Sequence, residues 1–430
     1  VSAIGLPPDV ADRRKLADEV HARPYVELHT PERASYLAVA VEADQREAER
    51  AHVARLCREA GVAAPEPSAV QFGADCGAYR VKWERHGEFS SYTVFVRGRS
   101  PQPYSEPAFL SLPPGWIGAI PGRTLVAAHA KLIPAGSAPA DGALLAACFG
   151  TGIAVGAEIG DGAGEAYTDF RIDEAGFTRF LVLDRALTRR QAGRVIQRLF
   201  EIEAYRVLAL LALPEARRVL AEATAVEREL RALTDAMAAG GKDDEALLGA
   251  LTGLAARVES TIAATQFRFG ASQAYYRLVR ARITELRERR VPGTQTVGEF
   301  MERRLAPAMA TCETAARRVQ ELSERVARAS GLLSTRVSIA RERQNQALLA
   351  SMDRRAAMQL RLQQAVEGLS VAAITYYVVA LVHTAAKALQ AAGKPVQPEL
   401  AAGLAIPVVA LAMLAGLSWL RRRIVTARGG

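Results

Sequence analysis

The sequence predicts an α+β protein in three parts: an N-terminal mixed or antiparallel sheet domain, a long helical, coiled-coil-like stalk, and a C-terminal two-helix transmembrane hairpin. Three observations predict it. Short β-prone runs punctuated by Gly and Pro fill residues 1–187. From Thr188 the apolar period becomes helical and stays so through residues 188–367. Finally, Leu369–Leu389 and Leu400–Leu420 are each apolar over about the ~20 residues a helix needs to cross a bilayer core. Residues 368–421 therefore form the hairpin and 422–430 a basic tail.

In the first part the strand candidates are SYLAVAVEA (35–43), GAYRVKWE (77–84), SSYTVFVRG (90–98), RTLVAAHAKL (123–132), EAYTDFRI (165–172) and FTRFLVLD (177–184). Some alternate apolar and polar residues and others are continuously apolar, as strands covered on both faces are. LPPGW, IPG and IGDGAG read as turns, and Asp44–Ala60 as a helix rich in Glu and Arg.

The helical part opens with GRVIQRLFEIEAYRVLALLALP (193–214). Arg198, Glu201, Glu203 and Arg206 make it a core helix rather than a span, because charges inside a bilayer are costly. Pro214 ends or kinks it. A helix to about Ala238, a break at Gly240–Gly241, a helix from Asp243 to Arg290 and a break at VPGTQ follow. Thr296 and Glu299 have capping-box spacing. A helix interrupted only by Pro307 then runs into the first span. Its seam is Val319, Leu322, Val326, Leu333, Val337, Ala340, Leu348 and Met352, spaced mostly by three and four. From Pro307 to Glu367 it would reach about 90 Å at the standard rise. Such a helix needs cover from the preceding helices, from copies of itself, or both.

Composition narrows the partners. Of 430 residues 50% are hydrophobic and 6% aromatic, and the formal net charge is +9. Basic residues alternate with acids along helices rather than gathering beside aromatics, which speaks against nucleic acid; the charge reflects either a generally Arg-rich proteome or attraction to anionic lipid. Cys57, Cys76, Cys148 and Cys312 form no CxxC pair, so buried free thiols are expected. The first twenty residues contain no apolar run of the secretory kind. Arg354, Arg355 and Arg361 precede the first span and Arg421, Arg422, Arg423 and Arg428 follow the second, whereas Lys394 alone lies in the turn. The positive-inside rule puts the body and both hairpin ends in the cytoplasm, with the protein multi-pass in a bacterial inner membrane.

DEVHARP (18–24), WERHGEFSSYT (83–93), LFEIEAYRVLALLALPEAR (199–217) and the junction from Asn345 to Leu381 together resemble a bacterial family of uncharacterised membrane-anchored proteins, a domain-of-unknown-function family. The resemblance spans almost the whole chain and implies anchoring but no chemistry. The layout is also distantly similar to CorA-type magnesium channels, by architecture alone. Their Gly-Met-Asn signature is absent, the corresponding stretch being LVHTAAKALQAAGK. Lys387 and Lys394 would repel cations at a pore mouth.

The densest polar constellations are His21 and Arg23 in the first string, and Glu84, Arg85, His86 and Glu88 in the second. His21, Glu84, His86 and Glu88 are the metal-ligand or acid–base candidates. The alternative is that they cap and cross-link the sheet, with Trp83, Phe89, Tyr92 and Phe95 as core. GTGIAVGAEIGDGAGE is not a Walker loop, for no Lys-Ser/Thr follows; a turn is expected there. GxSxG is absent, so no catalytic residue and no cofactor is assigned. In the first span Ser370, Tyr377 and Thr384 recur every seventh residue, with Tyr376, His383 and Lys387 one helical step round. This stripe either lines a path or glues helices and marks the interface. Small residues in the second span, such as Gly403 and Gly416, favour close packing. The sequence thus leads to a homo-oligomeric, non-enzymatic scaffold whose partners are the bilayer and its own copies, with a CorA-like channel as the alternative.

Overall fold

The chain opens with helix α1 (Arg13–Glu19) and lays down β1 (Glu32–Ala40), α2 (Arg46–Glu59), β2 (Gln71–Asp75), β3 (Arg80–Arg85), β4 (Ser90–Arg97) and β5 (Arg123–Pro134). Helix α3 (Gly142–Phe149), β6 (Val155–Ile159), β7 (Gly164–Thr168) and β8 (Thr178–Asp184) follow. The computed structural model describes residues 7–19, 25–137, 142–150, 152, 154–240 and 243–427. They divide into two units, Val1–Ser330 and Gly331–Gly430. Together with a two-residue strand β9 (Arg289–Arg290), the strands form one sheet in the order β2-β3-β4-β1-β5-β8-β7-β6-β9. Neighbours are antiparallel except β5 and β8, which run parallel.

Both faces of the sheet are covered, which is why β4 and β7 are buried almost throughout. On one face Leu37, Trp83, Tyr92 and Val94 pack with Val53 and Leu56 of α2 and with Trp116. This core holds a carboxylate. Glu49, fully buried, accepts hydrogen bonds from Trp83 Nε1 (2.9 Å), Tyr92 Oη (2.9 Å) and Arg85 (3.1 Å). Three donors offset the desolvation that an unpaired buried charge would suffer.

The other face carries α4 (Arg189–Leu210), whose first turn is closed by a Thr188–Gln191 capping box. Tyr36 of β1 stacks on Phe200 at 4.9 Å, and Phe180 of β8 meets the same ring edge-on at 6.0 Å. Gly193 lets the backbone of residue 26 reach the helix: a Cβ there would lie 1.9 Å from the Val26 carbonyl oxygen. Helix α5 (Leu213–Ala239) starts after a break at 211–212, so Pro214 sits in its first turn, where the missing N–H costs nothing. Helix α6 (Asp244–Leu286) packs on α4 and α5. It stops short of the expected Arg290 because Arg287 turns left-handed (φ 53°) and Arg289–Arg290 pair with β6. Likewise IGDGAG is a turn, but the preceding glycine-rich residues form β6, with Gly156 passing under the Tyr167 ring.

Helix α7 (Val297–Arg304) has the expected Thr296–Glu299 capping box. It ends before Pro307, and α8 (Ala306–Ala391) begins separately. Val319, Leu322 and Val326 of α8 are buried, and the neighbouring Arg318 and Ser323 bond Glu227 of α5 and Glu259 of α6. Leu333 and Val337 are buried too, whereas Ala340, Leu348 and Met352 are exposed. Among the described residues, the predicted seam is thus buried from Val319 to Val337 and exposed at Ala340, Leu348 and Met352.

In the second unit α8 ends at a tight turn. Gly393 (φ 83°) follows the helix, Lys394 N–H donates to the Leu389 carbonyl and Gly393 N–H to that of Gln390. This Schellman pattern satisfies the last carbonyls. Helix α9 (Pro398–Ala427) returns from it.

His129 of β5 is buried, with Nδ1 2.8 Å from Ser35 Oγ and its ring stacked on Phe177 at 4.0 Å. Burial lowers its pKa to about 4. The folded state therefore refuses a proton that the unfolded state accepts below the ordinary 6.5. Stability should fall as pH drops through the window from about 6.5 to about 4, by about 3 kcal/mol in all. Urea unfolding followed by tryptophan fluorescence checks this: His129→Gln should lose less stability than the wild type between about pH 7 and pH 4.5, and parallel curves would contradict it.

Candidate functional site

Strand alternation sets the cleft between the sheet and α4. In β3, Trp83 and Arg85 face Glu49, so Lys82 and Glu84 face α4. The register places Thr93 opposite Lys82, Ser91 opposite Glu84, and Tyr36 opposite Thr93. Lys82 and Glu84, both buried, form an ion pair at 3.0 Å. From above, Gln197 Oε1 lies 3.4 Å from Lys82 Nζ and Gln197 Nε2 donates to Glu201 at 2.7 Å. Arg282 of α6 pairs with Glu201 and donates to Glu285 at 2.8 Å. The stripe Gly193, Gln197, Glu201 on α4 is spaced by four, so one helix face meets the strand row.

His86 lies at the mouth, with Nε2 3.3 Å from Ser91 Oγ and its ring stacked on Phe89 at 4.2 Å. Glu88 pairs with Arg268 of α6. Tyr36 stands in the cleft floor, and burial, followed by the neighbouring Tyr205 and the carboxylates Glu201 and Glu84, pushes its pKa well above the ordinary value. Burial and Glu88 raise Tyr275 in the same direction. Both phenols stay protonated at neutral pH.

Three of the four sequence candidates, Glu84, His86 and Glu88, thus come to one region. His21, with Arg23, lies outside the described residues. Among the described residues no group of three or more His, Cys, Asp or Glu is gathered to hold a metal ion. The open space in the cleft is only about 30 Å³, room for a water or two at ~10–15 Å³ each. Its side chains bond one another across three elements, so the arrangement cross-links the sheet to α4 and α6. The α4 and α6 partners had no signal in the sequence, since Arg268 stands 180 residues from Glu88.

Two further features bear on function. A larger cavity of about 410 Å³ opens where the β7–β8 connection, α4 and α7 meet; sequence reasoning did not single it out. In the second unit, the apolar C-terminal part of α8 carries the polar stripe. Ser370 Oγ donates to the Val366 carbonyl and Thr384 Oγ1 to that of Ala380, both at 2.8 Å. Tyr376 and Tyr377 are exposed and meet edge-on at 5.8 Å. Lys387 is exposed, and His383 Nδ1 lies 3.3 Å from the Pro398 carbonyl oxygen across the turn.

A family model described as "Protein of unknown function (DUF3422)" matches residues 8–424. The chain belongs to the DUF3422 family. No curated protein matches it. No solved structure matches it. The DUF3422 match covers the cleft, the larger cavity and both apolar C-terminal helices.

Removing one partner of the buried pair should be costly. Lys82→Met removes the cation paired with buried Glu84 and should destabilise the first unit by about 3 kcal/mol, while the double change Lys82→Met with Glu84→Leu should recover most of it. Chemical denaturation of the three proteins checks this. Equal losses in single and double variants would show that the pair carries no coupling.

Proposed function

We propose that this protein is a membrane-anchored assembly protein, held by a C-terminal helical hairpin with its α+β unit and C-terminus on the cytoplasmic side of a bacterial inner membrane. One observation carries the reading: two helices long and apolar enough to span a bilayer are uncovered. Leu369 is 75% exposed and Leu411 67%. The ten exposed Leu, Ile and Val side chains from Leu369 to Leu414 would forfeit on the order of 10 kcal/mol or more of burial free energy in water. A third helix, α6, is also apolar enough by composition. Its buried side chains, Leu251, Leu254 and Val279 among them, lie in a helix packed on α4 and α5, so it needs no lipid.

The span hydroxyls support an anchor over a pore. Ser370, Thr375 and Thr384 return their protons to carbonyls of their own helix, four residues back, and so need no water-filled path. His383 is engaged at the turn and Lys387 would repel cations. A CorA-like channel therefore has less support than a scaffold. The cross-linked cleft, with space for water alone, supports a structural role for Glu84, His86 and Glu88 rather than a catalytic one.

Association with copies of the same chain follows from the second half of the seam. Leu348, Met352 and neighbouring Leu349 are exposed in the single chain, and the small residues of α9 permit close approach of helices.

Membrane fractionation tests the anchor. The full chain should stay with membranes through an alkaline carbonate wash and require detergent for release, and a chain ending at Glu367 should be soluble. Identical partitioning of the two without detergent would overturn the reading.

A further inference from the structure

The 410 Å³ cavity of the first unit lies against the last turn of α4, at Arg206 and Leu210, and differs in character from the cleft. Its size falls in the range of about 300–1,000 Å³ typical of small-molecule sites. The wall is apolar and aromatic. Phe170 and Phe300 stack face to face at 5.1 Å, with Met301 and Leu305 of the α7 end beside them. The rim is cationic. Arg171, Arg303 and Arg304 line it from two chain segments, are exposed, and have no ion-pair partner among the described residues. Arg206 also lines the cavity, but both its bonds go to Glu203, at 2.7 and 2.9 Å. Asp169 is the one acidic lining residue, buried and fixed by the Arg171 N–H. Three uncommitted guanidinium groups therefore face one carboxylate.

Two details show a built site. Gln295 is pinned by its backbone, its carbonyl accepting the Gly156 N–H at 2.8 Å. Its side-chain Nε2 is buried and has no hydrogen-bond partner. An unsatisfied buried donor costs about 1–3 kcal/mol unless something outside the chain accepts its proton. Phe170 is also held in the left-handed region (φ 52°), which a bulky residue adopts only when its surroundings impose it. Its N–H bonds Thr168 Oγ1 at 3.1 Å, and that conformation sets its ring against Phe300.

We propose that this cavity binds a phosphate-bearing small molecule with a planar ring, of nucleotide size. Arg171, Arg303 and Arg304 would take the phosphate, since guanidinium groups match phosphate oxygens bidentately. The Phe170–Phe300 wall would pack the ring, Gln295 Nε2 would donate to a ring carbonyl or nitrogen, and Asp169 would accept from a hydroxyl or amine. The inference stands apart from the membrane reading, because every residue it uses lies in the first unit.

Titration calorimetry on the full chain in detergent tests it, with ribonucleoside monophosphates and diphosphates, the matching nucleosides and inorganic phosphate as probes. At least one nucleotide should bind with Kd below about 1 mM, and the matching nucleoside and inorganic phosphate should each bind about ten-fold more weakly or worse. The double variant Arg303→Ala with Arg304→Ala alters exposed side chains, so folding should be kept; it should lose about ten-fold or more in affinity, while Arg328→Ala, remote on α8, should lose none. No nucleotide binding in that range, equal binding of inorganic phosphate, or unchanged affinity in the double variant would overturn the proposal.

Discussion

Helix α4 is the element on which the first unit depends. A sheet of this length exposes two apolar faces, and the second is covered chiefly by α4. The helix touches the sheet through Phe200 and Ile196, and at Gly193 it admits the backbone of residues 26–27, which precede β1, because it lacks a Cβ there. Its polar stripe then meets Lys82 and Glu84, which lie buried beneath it. Along the same helix, Glu203 holds Thr178 at 2.9 Å and fixes Arg206, which lies over the Phe170 ring at 5.6 Å. One helix thus closes the cleft along most of its length and furnishes a wall of the larger cavity with its last turn.

Buried charge is satisfied in the same manner on both faces. Glu49 under β3 and β4 and Glu203 over β8 are each almost fully enclosed, and each receives several donors from separate elements. Such groups are costly to leave alone and directional when paired, so they favour a single arrangement of helix on sheet. The second unit obeys the opposite rule. Its helices satisfy their own backbone and return their own hydroxyl protons, yet leave Leu, Ile and Val side chains outward. That combination suits a medium without hydrogen-bonding capacity.

Much of the fold was legible because local patterns were strong. Runs such as SSYTVFVRG and FTRFLVLD contain enough β-branched and aromatic residues to mark β4 and β8, and Thr296 with Glu299 marked the start of α7. The misses have physical causes. Strand β2 is a short edge with Gly73, β6 contains Gly156, and β9 is two arginines held only by the ladder of β6. EAYTDFRI continues past β7 in pattern, but Phe170 leaves the extended region and stops the strand. At the candidate site, clustering along the chain exposed Glu84, His86 and Glu88. Their partners Gln197, Glu201 and Arg268 come from remote helices, and only packing brings them together. The arginine-rimmed cavity was hidden for the same reason, being assembled from segments around Arg171, Arg206 and Arg303 that share no local motif.

The central claim, a hairpin that crosses the bilayer with the body on the cytoplasmic side, is tested most directly by thiol labelling in intact spheroplasts. Against a background without the native cysteines, Lys394→Cys in the turn should react with a membrane-impermeant maleimide. Arg354→Cys, ahead of the first span, should react only after lysis. Equal reactivity of the two positions before lysis, or protection of both until lysis, would contradict the account.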